Sequence, residues 1–232
     1  MNDFKGKSIG IVCLSGGMDS CVTAAIAVRE VLPAFFHVNY GQRTEARERR
    51  AFEEIADFYK APQERRLCVD LDCLGRIGCS ALTDKNIPVP KFSRLEEKIP
   101  EALPVTYVPF RNTLILSLGV AWAEALKATR IYIGAVAEDS AGYPDCRPEY
   151  YKAFNKLVRV GSSLGRSFKV ITPPICMSKK EIVQKGSELG APFHLTWSCY
   201  EDSDKACGRC DSCLRRLRAF HDAGVQDPIP YK

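Results

Sequence analysis

A short apolar run, Ile9-Gly10-Ile11-Val12-Cys13-Leu14, passes directly into Ser15-Gly16-Gly17-Met18-Asp19-Ser20 and then into a stretch of helical period. This strand–loop–helix join constrains the chain more than any other feature. An unbroken apolar strand has to be covered on both faces, as in a parallel sheet flanked by helices. Glycines at 16 and 17 permit positive φ and let the backbone approach a ligand without Cβ interference. The first N–H groups of the following helix, reinforced by its dipole, make an anion site. The hydroxyls of Ser15 and Ser20 add donors, and Asp19 is placed to hold a Mg²⁺ that bridges phosphates. No Gly-Lys-Ser/Thr follows, so the loop is not of the Walker type, and the absence of G-x-G-x-x-G excludes the dinucleotide fingerprint. The competing reading is a plain strand-to-helix turn with an N-cap serine.

The alternation continues. Cys21, Val22, Ala25, Val28 and Leu32 share a helical face, Ala34–Val38 is a second apolar run, and Thr44 to Tyr59 sets Phe52, Ile55, Ala56 and Tyr59 at helical spacing. Arg66–Leu71 reads as a third strand. Helices are then expected over Asn112–Lys127, Glu149–Val160 and Lys179–Leu189, and strands over Arg130–Ala135 and Lys169–Ile171. Strands and helices in this order imply an α/β fold with a parallel sheet and right-handed crossovers. Between about Cys73 and Val105 the pattern lapses. Pro88, Pro90, Pro100 and Pro104 interrupt it, the mark of a binding loop, a lid or disorder.

Eleven cysteines among 232 residues are an odd set, which argues against a closed disulfide framework. Four of them, Cys199, Cys207, Cys210 and Cys213, crowd the tail with Gly208 available for a tight knuckle. Four thiolates and no histidine within the cluster suit a closed, tetrahedral structural Zn²⁺ site rather than a catalytic one. An iron–sulfur cluster would place its fourth cysteine downstream and before a proline, whereas Leu214 follows Cys213. The other seven are expected to act as small hydrophobes, with Cys146, in a polar loop, as the exception. The start of the chain lacks the apolar core of a signal peptide, and the longest greasy stretch, Leu114–Leu126, is too short to span a bilayer. A cytoplasmic protein is expected. A net charge of +5 fits an anionic small ligand and is too weak for a surface that wraps nucleic acid.

The order Ser-Gly-Gly-x-Asp-Ser after a first buried strand resembles the phosphate loop of the N-type ATP pyrophosphatases. That resemblance implies an adenine-nucleotide α-hydrolase-like (Rossmann-like) domain, here residues 1–190, with a zinc-binding helical region, 191–232, packed on it. It also implies that Leu14, Ser15, Gly16, Gly17, Met18, Asp19, Ser20, Cys21, Val22, Thr23 and Ala24 cradle ATP. Further segments narrow it: Asn39-Tyr40-Gly41-Gln42-Arg43, Ser80-Ala81-Leu82-Thr83, Ile87-Pro88-Val89-Pro90, Val108-Pro109-Phe110-Arg111-Asn112, Gly142 to Glu149 and Thr172-Pro173-Pro174. With the cysteine cluster, these are similar to the 7-cyano-7-deazaguanine synthases, nitrile-forming ligases of the queuosine pathway. Ala141 stands where many members carry Ser.

The resemblance implies that 7-carboxy-7-deazaguanine, ammonia and ATP give the nitrile through adenylated carboxylate and amide intermediates. Ser15, Asp19, Ser20 and Arg111 would be catalytic, and Asp139, Tyr143, Asp145 and Arg147 would form the deazaguanine pocket. Asp145 could instead cap the helix that comes after it. Cofactors would be ATP, Mg²⁺ and one structural Zn²⁺; free ammonia is expected, since His37, His194 and His221 form no glutaminase set. No nucleic acid or membrane partner is expected, and the family is commonly homodimeric. A tRNA-thiolating relative that adenylates a base is the alternative. A third possibility is a zinc-bearing adaptor with Arg215, Arg216 and Arg218 on phosphate.

Overall fold

The computed structural model describes residues 6–92, 103–137 and 143–232. Five strands, β1 (Ile9–Cys13), β2 (Leu32–Asn39), β3 (Arg66–Asp70), β4 (Arg130–Ile133) and β5 (Lys169–Ile171), form one sheet in the order β3-β2-β1-β4-β5. Every pairing is parallel. The intervening helices are α1 (Met18–Glu30), α2 (Glu45–Phe58), α3 (Asp72–Ile77), α4 (Arg111–Leu126), α5 (Pro148–Gly161), α6 (Lys179–Leu189) and α7 (Asp211–Asp222).

Alternate side chains of each strand enter different cores. Val12, Leu14 and Phe35 pack with Cys21, Ala24 and Ala27 of α1 and Phe52 and Ile55 of α2. On the opposite face Ile11, Cys13 and Phe36 meet Leu116 of α4 and Tyr151, Phe154 and Val158 of α5. Both faces are therefore dry, which is why the strands read as continuous apolar runs. The strand order reverses between β1 and β4, and in open α/β sheets ligands bind outside the carboxyl ends at such a switch point.

Leu32 belongs to β2 rather than to the face of α1. The helix ends at Glu30 because Pro33 drives residue 32 out of the α region. Pro33 pairs with Gly10 of β1, while β3 reaches only Phe35–Asn39, so no ladder bond on that side is lost. The irregular segment contains α3, too short to leave a period; Leu74 is its only buried residue. The loop after α3 is fastened by Arg43, whose guanidinium donates to the carbonyls of Ala81 (2.6 Å), Asp84 (3.0 Å) and Ile87 (2.7 Å). Helix α6 begins with a capping box between Ser178 and Glu181.

The tail shares cores with the sheet domain. Met18 and Val22 of α1 pack with Ile182 of α6 and Phe220 of α7, and Trp197, Cys199 and Cys213 pack with Ala51 of α2. Arg216 is buried, with a forked pair to Asp227 at 2.7 and 2.8 Å and a bond to Thr196 at 2.6 Å. It holds the tail together. Among the described residues no helix is long and apolar enough to cross a membrane.

Candidate active site

A cleft of about 290 Å³ opens at the switch point, bounded by the carboxyl ends of β1, β2 and β4. Its floor is the loop Leu14–Ser20. Gly16 has φ +89°, and a Cβ there would lie 2.8 Å from the Glu48 carbonyl and 2.9 Å from Ala51 Cβ. Gly17 differs: with φ −80° and ψ 168° it is the extended N-cap of α1, and a Cβ would meet nothing nearer than Ser15 Oγ at 3.5 Å. Only one of the two glycines therefore uses positive φ. No side chain caps α1, so its first turn presents backbone donors to the cleft. Ser15 Oγ donates to Ser20 Oγ (3.1 Å) and accepts from the Gly17 N–H (3.3 Å), and Ser20 Oγ donates to the Gly17 carbonyl (2.9 Å). The two hydroxyls brace the loop.

Leu14, Ser15, Gly17, Met18, Asp19 and Ser20 line the cleft. Gly16 forms the turn beneath it. Cys21, Val22 and Ala24 lie on the faces of α1 that enter the cores, and Thr23 Oγ1 bonds to the Asp19 carbonyl. These four residues of the expected cradle are not part of the cleft lining, because α1 points away from the cleft after its first turn. Gly134 at the end of β4 was not anticipated. A Cβ there would stand 2.9 Å from the backbone of Asp19 and Ser20, so its hydrogen lets the first turn of α1 cross β4.

Lys179, the first residue of α6, places Nζ 2.8 Å from Asp19 Oδ2 and is itself part of the cleft wall. The helix over Lys179–Leu189 was expected; the reach of Lys179 across 160 residues was not. Arg111 begins α4, where its Nη1 donates to the Tyr40 hydroxyl at 3.0 Å and its guanidinium lies 5.3 Å from the Tyr40 ring centre. Burial opposes its charge, but the surrounding Tyr40, Asp145, Tyr143 and Tyr200 hold its pKa above the usual value. Arg111 is a fixed cation inside the cleft.

Of the expected base pocket, Tyr143 lines the cleft, with its hydroxyl 2.9 Å from Thr106 Oγ1. Asp145 is buried behind it: Oδ2 accepts from the Asn112 N–H at 3.1 Å, and its carbonyl accepts from Asn112 Nδ2. Its carboxylate caps α4, not α5, and does not line the cleft. Arg147 is exposed at the N-cap of α5, also outside the lining. Asp139 lies outside the described residues. Cys146 does line the cleft, 3.8 Å from Asn112 Nδ2. Cys13 and Cys21 are core residues whose thiols burial pushes up to about 12, but Cys73, Cys79 and Cys176 are exposed and do not serve as small hydrophobes.

The tail supplies the far wall through Trp197, Ser198, Tyr200, Asp211, Ser212 and Arg215. It is joined to the floor by the Trp197 N–H, which donates to the Gly16 carbonyl at 2.8 Å. Behind this wall the Sγ atoms of Cys199, Cys207, Cys210 and Cys213 lie within 4.8 Å of one another, an arrangement able to hold a metal ion. The N–H groups of Asp202 and Cys207 point at Cys199 Sγ, both at 3.4 Å, and those of Arg209 and Cys210 at Cys207 Sγ, at 3.4 and 3.3 Å. Amides aimed at sulfur stabilise thiolate, the form that ligates metal.

Residues 9–224 match the family model described as queuosine biosynthesis protein QueC. The chain is 54% identical to the 7-cyano-7-deazaguanine synthase of Acidobacterium capsulatum, over 95% of each chain. It is 55% identical to that of Koribacter versatilis, over 97% of this chain and 93% of the other. Among solved structures it aligns with NMN synthetase from Francisella tularensis at 14% identity and a TM-score of 0.49, over 95% of this chain and 78% of that one; so distant a likeness carries no functional weight. By its match along nearly the whole sequence, the chain belongs to the QueC family of queuosine biosynthesis proteins.

Proposed function

We propose that the protein is an ATP-dependent carbon–nitrogen ligase that converts 7-carboxy-7-deazaguanine and free ammonia to 7-cyano-7-deazaguanine. Relatives at 54 and 55% identity carry the name of that synthase. The observation that carries the chemistry is the uncapped first turn of α1, set at the sheet's switch point in a cleft also lined by the half-buried Arg111.

A carboxylate resists ammonia because its charge repels nucleophiles and its oxide is a poor leaving group. Transfer of AMP to the carboxylate supplies a good leaving group; ammonia then gives the amide, and a second adenylation on the amide oxygen prepares loss of AMP to the nitrile. The α1 amides and Lys179 hold the phosphates, and Arg111 faces the carboxylate as its charge is redistributed. Asp19 would offer a carboxylate oxygen to Mg²⁺, which would supply charge neutralisation for the leaving pyrophosphate. The aromatic faces of Tyr40, Tyr143 and Tyr200 suit a planar base.

Zinc is the metal that the four sulfurs fit. Thiolates at about 2.3 Å from a tetrahedral ion stand roughly 3.8 Å apart, and Cys207 Sγ lies 3.9 Å from Cys213 Sγ. Its role is to fix the wall that carries Trp197 and Tyr200. The thiolating alternative is disfavoured by the gathering of these four cysteines into one closed cluster. Homodimeric assembly in the cytoplasm completes this reading.

The test is mass spectrometry of products from the carboxy-deazaguanine, ¹⁵N-ammonium and Mg·ATP. A nitrile carrying ¹⁵N, with AMP released, is expected. ATP turnover that leaves the carboxylate intact would overturn the assignment.

A further inference from the structure

The dehydration chemistry needs a group that accepts protons, and the charged residues that hold phosphate and carboxylate are not free to do so. Arg111 stays charged, Asp19 is paired with Lys179, and Asp211 is paired with Arg215 at 2.7 Å. Glu48 is, among the described residues, the remaining carboxylate of the cleft wall. Among the described residues no lysine or arginine comes within 4.0 Å of it. Its geometry is nevertheless fixed. Thr44 Oγ1 donates to Oε1 at 2.8 Å and Gln42 Nε2 donates to Oε2 at 3.2 Å. The Gln42 amide is oriented in turn by the Tyr40 N–H, which donates to its Oε1 at 2.8 Å. The Tyr40–Thr44 segment thus also aims one acid.

We propose that Glu48 accepts the nitrogen protons in both amidation and dehydration, an inference that rests on the nitrile-synthase reading. In amidation the nitrogen lone pair forms the C–N bond, the acyl C–O bond breaks with its electrons leaving on AMP, and one N–H proton passes to the carboxylate. On adenylation of the amide oxygen a second proton is lost. In the last step the remaining N–H bond breaks, its electron pair completes the C≡N bond, AMP departs with the oxygen, and the proton again goes to Glu48, which returns it to solvent. One group serves throughout because one carbon is the electrophile throughout. Burial raises the Glu48 pKa, against the lowering effect of Thr44, Gln42 and Arg111, while Glu45, one turn earlier, adds to the rise. Tyr40, the other titratable group beside it, is pushed up to about 12 and stays neutral. A carboxyl raised in this way is a stronger base than a surface carboxylate.

Glu48→Gln preserves shape and satisfies both neighbours, since the Thr44 hydroxyl can turn to accept. In the full-length, metal-loaded protein, carboxylate-dependent ATP–pyrophosphate exchange is expected to fall less than tenfold. Single-turnover conversion of the synthetic amide to nitrile, read by mass spectrometry, is expected to fall by about 100- to 10,000-fold, with loss of the acid limb of the wild-type pH profile. Thr44→Val removes one donor to the charged form, so its acid limb moves to higher pH. Amide conversion by Glu48→Gln within threefold of wild type, or a rise in KM alone with an unshifted pH profile, would overturn the inference. Absence of carboxylate-dependent exchange in the wild type would instead fell the reading beneath it, and the inference with it.

Discussion

Gly16 and Gly17 are adjacent, identical and expected by sequence to do the same work, yet their surroundings predict opposite consequences for a single methyl group. At Gly16 an alanine would occupy φ +89°, which costs an L-residue about 1–2 kcal/mol. Its Cβ would also press on the Glu48 carbonyl at 2.8 Å and on Ala51 Cβ at 2.9 Å. Neither is the end of a flexible side chain, so α2 has to shift, an overpacking cost of about 1–3 kcal/mol. Together these come to about 2–5 kcal/mol. At about 2–4 °C per kcal/mol for a chain of this size, Gly16→Ala should lower Tm by about 4–20 °C. Gly17→Ala meets only ordinary contacts in an extended conformation open to any residue, so its Tm should lie within a few degrees of wild type. Its methyl group, however, stands at the cleft surface between the α1 amides and a bound phosphate, and nucleotide affinity should fall at least tenfold. Thermal unfolding of the two variants, with nucleotide titration on each, reads both effects. Equal Tm losses, or a Gly16→Ala protein as stable as wild type, would refute the reasoning.

Lys179, the metal cluster and His37 each give a further expected outcome. Lys179→Met should lower carboxylate-dependent pyrophosphate exchange by about 100-fold or more while leaving Tm nearly unchanged, because one fixed cation is removed from the charge-bearing end of the site; exchange within threefold of wild type would remove Lys179 from that role. Chelation, or Cys213→Ser, should release bound metal and abolish nucleotide binding as well, since the wall anchored by the cluster is bonded to the loop through Trp197 and Gly16; metal loss with unchanged affinity would separate the two. His37 is buried, with Nδ1 2.9 Å from the Leu14 carbonyl and Nε2 3.0 Å from Asn39 Oδ1. Burial lowers its pKa below the ordinary 6.5 despite both bonds, so the unfolded chain binds the proton first. Its contribution is complete above that pH and is lost as pH falls through it; a denaturation midpoint in His37→Gln that follows pH as steeply as wild type over pH 5–7 would contradict this.

The cleft wall explains why the four-cysteine cluster sits where it does. A phosphate loop fixed only by its own strand and helix would have one flank in solvent. Here that flank is closed by the tail: the Trp197 N–H bonds to the Gly16 carbonyl, the Arg47 guanidinium stacks 4.6 Å from the Trp197 ring centre, and Thr44 Oγ1 bonds to the Cys199 carbonyl at 3.1 Å. Each contact joins α2 or the loop to a residue at or next to the cluster. A metal held by the four sulfurs would add rigidity to this tail beyond its packing; in zinc-finger peptides such bonds contribute an apparent ~10–16 kcal/mol.

The features legible in the sequence are those that local pattern determines. Strands buried on both faces announced the parallel sheet, helical pattern announced α6 over Lys179–Leu189, and the cysteine spacing announced the cluster. The errors arise where the third dimension reassigns a residue that local pattern had already explained. Asp145 reads as a base-binding carboxylate, with a cap for the helix after it as the competing reading; in the structure it accepts from the N–H of Asn112 in the first turn of α4, 33 residues upstream in sequence and beside it in space. Cys21 to Ala24 follow the loop so closely that they inherit its expected role, but a helix turns its side chains by about 100° per residue, and only the first turn of α1 lines the cleft. Lys179 and Glu48 were missed for the converse reason. Each sits on a helix whose charged residues are the ordinary coat of a solvated face, and nothing in its own neighbourhood sets it apart. Their distinction is positional: α2 and α6 lie on either side of the β1 loop, and sheet order, not helix period, decides which of their charges face the switch point.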